Sequence, residues 1–177
     1  MPSSLKSLCL SLSLCFLVRI ADAQSFSYPL RTKNGLVSSQ NHIASKVGAA
    51  ALRRGGNAVD AAVATAFTLA VTHPAAGNIG GGGFLVLLLP GGESTTFDFR
   101  ERAPASAHLD MFKDENGKYS PTIHHHSHRA VGVPGSVAGL YLAHQKHGKL
   151  PWKSLVKPAV RIARNGFRVS AGLAGEL

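Results

Sequence analysis

Apolar residues fall along this chain in several rhythms, and each rhythm predicts an element. Between Gln40 and Arg54, the residues Ile43, Val47, Ala50 and Ala51 recur at the spacing of one helix face. Gly55-Gly56 ends that helix, because glycine takes the left-handed conformation that closes one. A second helix follows over Ala58–Thr72. Asn57 is a good N-cap, and Asp60 stands where an acid can reach back to the cap and favour the positive helix end. Its side chains are small or apolar all round, with Val59, Val63, Phe67, Leu69 and Val71 among them, so it is predicted to be buried on every side. It is too short to span a bilayer, and His73-Pro74 ends it, since proline disfavours helical geometry in the residue before it.

Strand rhythms come next. Gly80-Gly81-Gly82-Gly83 runs into Phe84–Leu89, a continuous apolar stretch predicted to be a fully buried strand. Pro90-Gly91-Gly92 is a turn. Thr95–Arg100 then alternates, with Thr95, Phe97 and Phe99 on one face and Thr96, Asp98 and Arg100 on the other. The two strands make a hairpin with one face in the core. Ala103–Ser127 is less regular, with a tight turn at Asp114-Glu115-Asn116-Gly117. A third helix is predicted over Val137–His147, closed by Gly148. A fourth spans Leu150–Arg164, with Leu155, Val156, Ala159, Val160 and Ala163 inward and Asn165-Gly166 closing it. Gln24–Leu36 is an extended lead-in, and no repeat or low-complexity tract is present.

The first residues follow a different logic. Lys6, the Leu-rich run Leu8–Val18 and the small-x-small pattern Ala21-Asp22-Ala23 read as a secretory signal peptide over Met1–Ala23. That apolar run is about 11 residues, well short of the roughly 20 a spanning helix needs, so no stable membrane anchor is expected. Both cysteines, Cys9 and Cys15, lie inside it. A chain processed after Ala23 has no thiol for disulfides, catalysis or cysteine-based zinc sites. The expected destination is outside the cytoplasm, periplasmic or extracellular. Taking Lys6, Arg19 and Asp22 from 19 basic and 9 acidic residues leaves 17 against 8, a balance of +9. The basic residues are scattered, with the last five, Lys153, Lys157, Arg161, Arg164 and Arg168, along one helical region and its flanks, which reads as a solvated face, and no nucleic-acid partner is expected.

Four features could carry chemistry. Phosphate-cradling glycine loops stand between a strand and a helix, whereas the glycine run here stands between a helix and a strand. Close backbone approach is the better account of it. His124-His125-His126 with His128 could touch zinc or nickel, but neighbouring histidines on an irregular segment diverge and no carboxylate orients them, so no metal site is assigned. Ser38, Ser39, Thr65, Thr72 and Ser136 form no nucleophile elbow. Arg100 ends the alternating strand. Its planar fork could grip a carboxylate at a site mouth, or pair internally with Asp98 or Glu101, and spacing does not choose between the two.

The runs Arg54–Ala64, Thr72-His73-Pro74, Gly77-Asn78, Gly80–Phe84, Asp98-Phe99-Arg100-Glu101 with Ala103-Pro104, Gly135–Gly139 and Asn165-Gly166-Phe167, taken in order, resemble gamma-glutamyltransferases, also called gamma-glutamyltranspeptidases. The likeness covers nearly the whole chain from Gly35 on. It implies an α+β fold, a partial αββα sandwich of the N-terminal nucleophile hydrolase type. It further implies an exported precursor that cuts itself into a large and a small subunit. A threonine freed at the start of the small subunit attacks the gamma-glutamyl amide of glutathione, and the acyl group passes to water, an amino acid or a peptide. No cofactor is implied. The family's arginine that clasps the glutamyl α-carboxylate falls on Arg100.

By the same resemblance, residues 24–177 correspond to the front of the large subunit and stop before the processing point. The nucleophile would come from the small subunit of the same precursor, so no catalytic side chain is expected in this truncated span, and the span alone is expected to be inactive. Its apolar helix and strand are expected to leave apolar surface uncovered. The alternative is a secreted basic interaction module without catalysis, touched by metal through His124–His128.

Overall fold

The computed structural model describes residues 29–176; the expected leader Met1–Ala23, with both cysteines, lies outside them. The chain divides between Asn34 and Gly35. Residues 29–34 of the first unit form neither helix nor strand, and every described helix and strand belongs to the second unit.

Helix α1, His42–Arg53, starts where Asn41 accepts the Ile43 amide at 2.9 Å. The Asn41 amide also donates to the Thr72 carbonyl at 3.1 Å, tying this start to the end of the next helix. The face of α1 toward that helix is built from small residues, Ala44, Gly48 and Ala51. A Cβ on Gly48 would stand 3.1 Å from the Ala61 carbonyl, so the two backbones pass close together. Gly55, at φ 87, turns the chain into the next helix.

Helix α2 spans Ala58–Thr72 as the pattern predicts. Its capping box is reciprocal: Asn57 Oδ1 accepts the Asp60 amide at 3.1 Å, and Asp60 Oδ2 accepts the Asn57 amide at 2.9 Å. Thr68 and Thr72, both buried, return their hydroxyls to the carbonyls of Ala64 and Thr68. Burial on every side is not what forms. Val59, Val63 and Ala64 are covered, while Ala62 is exposed and Ala66 and Leu69 are half-buried beside a 470 Å³ cavity.

Strands β1, Phe84–Leu88, and β2, Ser94–Asp98, pair antiparallel from Phe84↔Asp98 to Leu88↔Ser94. The turn closes with Gly92 at φ 85. Leu85, Leu87 and Phe97 meet the core. The expected fully buried β1 is corrected here: Phe84, Val86 and Leu88 are 65%, 76% and 71% exposed, because no described element packs on that face. A continuous apolar run shows that both faces favour cover, and only one has it.

A short helix α3, Pro121–His126, and a 3-10 turn, His128–Ala130, precede helix α4, Ser136–His147. Helix α5, Trp152–Asn165, starts two residues later than its pattern suggests, and α6, Ala171–Glu176, follows. Leu155 and Ala159 are buried and Ile162 is half-buried, at helical spacing. Val160 and Ala163, expected inward, lie off that stripe and are exposed. Trp152 joins the layers, edge-on to Phe67 at 5.4 Å and to Tyr141 at 5.1 Å. Asp60 completes the junction. Its carboxylate is fully buried and also accepts the amides of Lys149 and Leu150, at 3.1 and 3.2 Å, in the turn between α4 and α5.

Candidate functional site

β2 delivers its last residues to a crowded crossing. The Phe99 amide donates to the Gly83 carbonyl at 3.0 Å, which carries strand pairing one step further before the chain leaves the hairpin. Asp98 Oδ1 then accepts the Arg100 amide at 3.0 Å. The glycine run lies against this segment. A Cβ on Gly82 would meet the Glu101 nitrogen and the Phe99 oxygen at 2.7 Å and the Arg100 Cα at 2.8 Å. Cβ atoms on Gly135 and Gly139 would overlap the Phe99 carbonyl and ring from the opposite side. Close backbone approach, the reading preferred from sequence, is therefore what the glycines provide.

Hydrogen bonds lock the two glycine segments together. The Gly135 and Ser136 amides donate to the Gly81 carbonyl at 2.8 and 3.0 Å. Asn78 Oδ1 accepts both the Gly81 amide, at 2.9 Å, and the Ser136 hydroxyl, at 2.6 Å. Arg100 thus stands on backbone held from both sides. A rigid base of this kind limits the ordering cost of binding a ligand.

The Arg100 side chain is exposed, and among the described residues no carboxylate lies within 4.0 Å of it. Neither Asp98 nor Glu101 forms the internal ion pair that spacing allowed. Arg100 borders two cavities, of 580 and 250 Å³. The smaller is walled by Phe99, Pro134, Gly139 and Leu142. Arg102 and Arg129 share the larger one with it. Sequence reasoning missed both. Arg102 carried a signal, since residues two apart on extended chain share a side. Arg129 arrives through tertiary folding. Its Nη1 donates to the Met111 carbonyl at 3.0 Å, and its amide donates to the Ser127 hydroxyl at 3.2 Å.

His124, His125 and His126 lie on helix α3 and His128 in the 3-10 turn after it, rather than on an irregular segment, which corrects the sequence expectation. Ser120 caps the helix and Pro121 occupies its first turn, where a missing N–H is harmless. His124 shares a 2.7 Å hydrogen bond with the Tyr119 hydroxyl, and its ring centroid lies 4.4 Å from those of Phe112 and His125. No three His, Cys, Asp or Glu side chains among the described residues converge on a metal position. Of the hydroxyls weighed as nucleophiles, Ser39 donates to the Asn41 carbonyl, Thr72 to the Thr68 carbonyl and Ser136 to Asn78, while Thr65 Oγ1 is buried with no hydrogen-bond partner among the described residues. Asp110 sits 2.6 Å from Lys113, whose hydrogen bond and charge hold its carboxyl below the ordinary aspartate range.

The model of the gamma-glutamyltranspeptidase family matches residues 44–177. The glutathione hydrolase proenzyme of Escherichia coli (strain K12) is 49% identical over 150 residues, covering 85% of this chain and 26% of that protein. Glutathione hydrolase 2 of Arabidopsis thaliana is 46% identical over 137 residues, covering 77% of this chain and 23% of that protein. Among solved structures, the Helicobacter pylori gamma-glutamyltranspeptidase aligns with a TM-score of 0.79 and 46% identity over 84% of this chain and 43% of that one. The Pseudomonas nitroreducens gamma-glutamyltranspeptidase complexed with L-DON gives a TM-score of 0.76 at 46% identity, over 82% of this chain and 43% of that one. This chain spans about a quarter of the length of the curated relatives it matches. The matched residues contain the glycine run, the hairpin and Arg100 together, and the chain belongs to the gamma-glutamyltranspeptidase family.

Proposed function

We propose that these residues supply the substrate-carboxylate side of a gamma-glutamyl transfer site, with Arg100 clasping the α-carboxylate of a donor such as glutathione. The observation that carries this is the unpaired, exposed guanidinium at the rim of a cavity, on backbone fixed by Gly82 and Gly135. A planar fork held there can make two parallel charge-assisted hydrogen bonds to one carboxylate. The grip leaves the gamma-amide at the far end of the glutamyl side chain for attack. The acyl group then passes to water, an amino acid or a peptide.

The attacking threonine is assigned to the small subunit of the same precursor, as the family resemblance implies, and none of the hydroxyls in this span is given that role. In the completed protein the hairpin is proposed to join an αββα sandwich, with the bare face of β1 covered by residues outside the present span. Residues 24–177 are taken as the front of the large subunit of an exported, periplasmic or extracellular enzyme, after a leader over 1–23. By themselves they are inactive.

The test is donor kinetics in the complete enzyme that carries this segment. Arg100→Ala is expected to raise KM for a gamma-glutamyl donor about a hundredfold, the equivalent of about 2.7 kcal/mol of lost charge-assisted hydrogen bonding. Arg100→Lys recovers only part of that, because a point charge cannot replace the fork. A donor lacking the α-carboxylate should be used equally poorly by all three proteins. Unchanged KM in Arg100→Ala would refute the assignment, and gamma-glutamyl hydrolysis by the present chain alone would refute its inactivity.

A further inference from the structure

The larger cavity beside Arg100 holds more positive charge than one carboxylate needs. Three arginines, Arg100, Arg102 and Arg129, line its 580 Å³ with a single acid, Glu101. That leaves two net positive charges on exposed side chains around one open cleft. Among the described residues, none of the three guanidiniums has a carboxylate within 4.0 Å, Glu101 included. Asp110, the residue before the lining Met111, is paired with Lys113. Cations gathered in a cleft without counter-ions repel one another, and an anionic ligand relieves that repulsion.

Arg102 is held at its backbone, and Arg129 at its guanidinium. Arg102 is bridged through its backbone to Val133 on both sides, with N···O distances of 3.3 and 2.8 Å. Arg129 gives one of its guanidinium N–H groups to the Met111 carbonyl, which anchors the fork and leaves its other donors for a ligand. Met111 and Phe112, both half-buried, add an apolar wall to the same cavity. The volume falls in the range of small-molecule sites, about 300–1,000 Å³.

We infer that Arg102 and Arg129 form a second anion grip, which takes the C-terminal carboxylate of a gamma-glutamyl peptide while Arg100 holds the glutamyl end. The inference builds on the role proposed for Arg100. A tripeptide-length donor spans about 10 Å at roughly 3.3–3.6 Å per residue, and it carries one carboxylate at each end. The wall at Met111 and Phe112 suits its uncharged middle. The grip selects dianionic donors over gamma-glutamyl amides whose far end is neutral.

The experiment compares two donors in the complete enzyme: a gamma-glutamyl tripeptide with a free C-terminal carboxylate, and the same tripeptide as its C-terminal amide. The parent enzyme is expected to prefer the free acid by about tenfold or more in kcat/KM, the worth of one charge-assisted contact. Arg129→Gln, and the double variant Arg102→Gln/Arg129→Gln, should bring that ratio close to one, chiefly by lowering kcat/KM for the free-acid donor. A partly misfolded preparation lowers both rates and leaves the ratio intact, so the ratio reports binding alone. A ratio that stays at the parent value in the double variant overturns the second grip. So does a parent ratio of one. Arg100→Ala separates the two ideas: it should depress both donors alike, and failure to do so counts against the Arg100 role whatever Arg129 does.

Discussion

Replacing Asp60 with alanine is expected to loosen the helical layer from its centre. The carboxylate is fully buried and accepts three backbone amides, from Asn57 at 2.9 Å, Lys149 at 3.1 Å and Leu150 at 3.2 Å, with His144 Nε2 3.7 Å away. Alanine leaves those three amides without an acceptor in a place closed to solvent. Each orphaned buried donor costs about 1–3 kcal/mol, so the loss is about 3–9 kcal/mol before relaxation. Water entering the vacated volume returns part of it, which puts the expected value at about 3–5 kcal/mol. Against a total stability of about 5–15 kcal/mol, that is a large fraction. Asp60→Asn keeps one acceptor oxygen and turns an N–H₂ toward the remaining amides, so its expected cost is smaller, about 1–3 kcal/mol. Urea unfolding followed by tryptophan fluorescence measures both, because Trp152, the single tryptophan, packs 5.3 Å from His144 beside the clasp. An Asp60→Ala protein within about 0.5 kcal/mol of the parent would refute this account, since changes that small belong to surface positions.

Two further substitutions test other parts of the structure. Gly82→Ala places a methyl 2.7–2.8 Å from the backbone of Phe99, Arg100 and Glu101, so in the complete enzyme it is expected to shift Arg100 and raise donor KM. Gly91→Ala, in the hairpin turn away from the cavity, meets nothing within 4 Å and is the control; equal KM values for the two variants would sink the positioning role of the glycine run. The bare face of β1 is expected to bind a hydrophobic dye in the present chain. Val86→Thr with Leu88→Thr should lower that dye fluorescence without moving the Trp152 unfolding midpoint, and dye binding unchanged by the pair would place the exposed surface elsewhere.

What the sequence made legible was mostly local. Helix α2 could be bounded at both ends because Asn57, Asp60 and His73-Pro74 act within a turn of the residues they terminate. The alternation through Phe97 and Phe99 gave the register, but the strand was read too long: β2 ends at Asp98, and Arg100 lies two residues beyond it, after the Phe99 amide has paired with Gly83. Helix α3 was missed although its signals, Ser120 as cap and Pro121 in the first turn, are equally local; the run of histidines drew the reading toward divergence instead. Other misses could not have been read locally. Which of Val160, Ile162 and Ala163 turns inward depends on where α5 lies against α2, and an apolar list does not contain that. The exposure of Val86 depends on cover that a strand's own composition cannot supply. Arg129 reaches the site only because the Met111 carbonyl holds its side chain.

Helix α4 connects the framework to the site. At its start, the Gly135 and Ser136 amides hold the Gly81 carbonyl, and Gly135 and Gly139 press on Phe99, the residue before Arg100. At its end, the Asn57 side chain donates to the His147 carbonyl, and Asp60 takes the amides of Lys149 and Leu150. A helix pinned at both ends cannot tilt without breaking one set of bonds, and packed interiors pass such shifts on rather than absorb them. Asp60 holds the turn after α4, while the start of α4 lies against Phe99, the residue before Arg100. The residue that completes the capping box of α2 thus also accepts amides from a turn some ninety residues away, which ties α2 to the helix whose start lies beside the Arg100 segment.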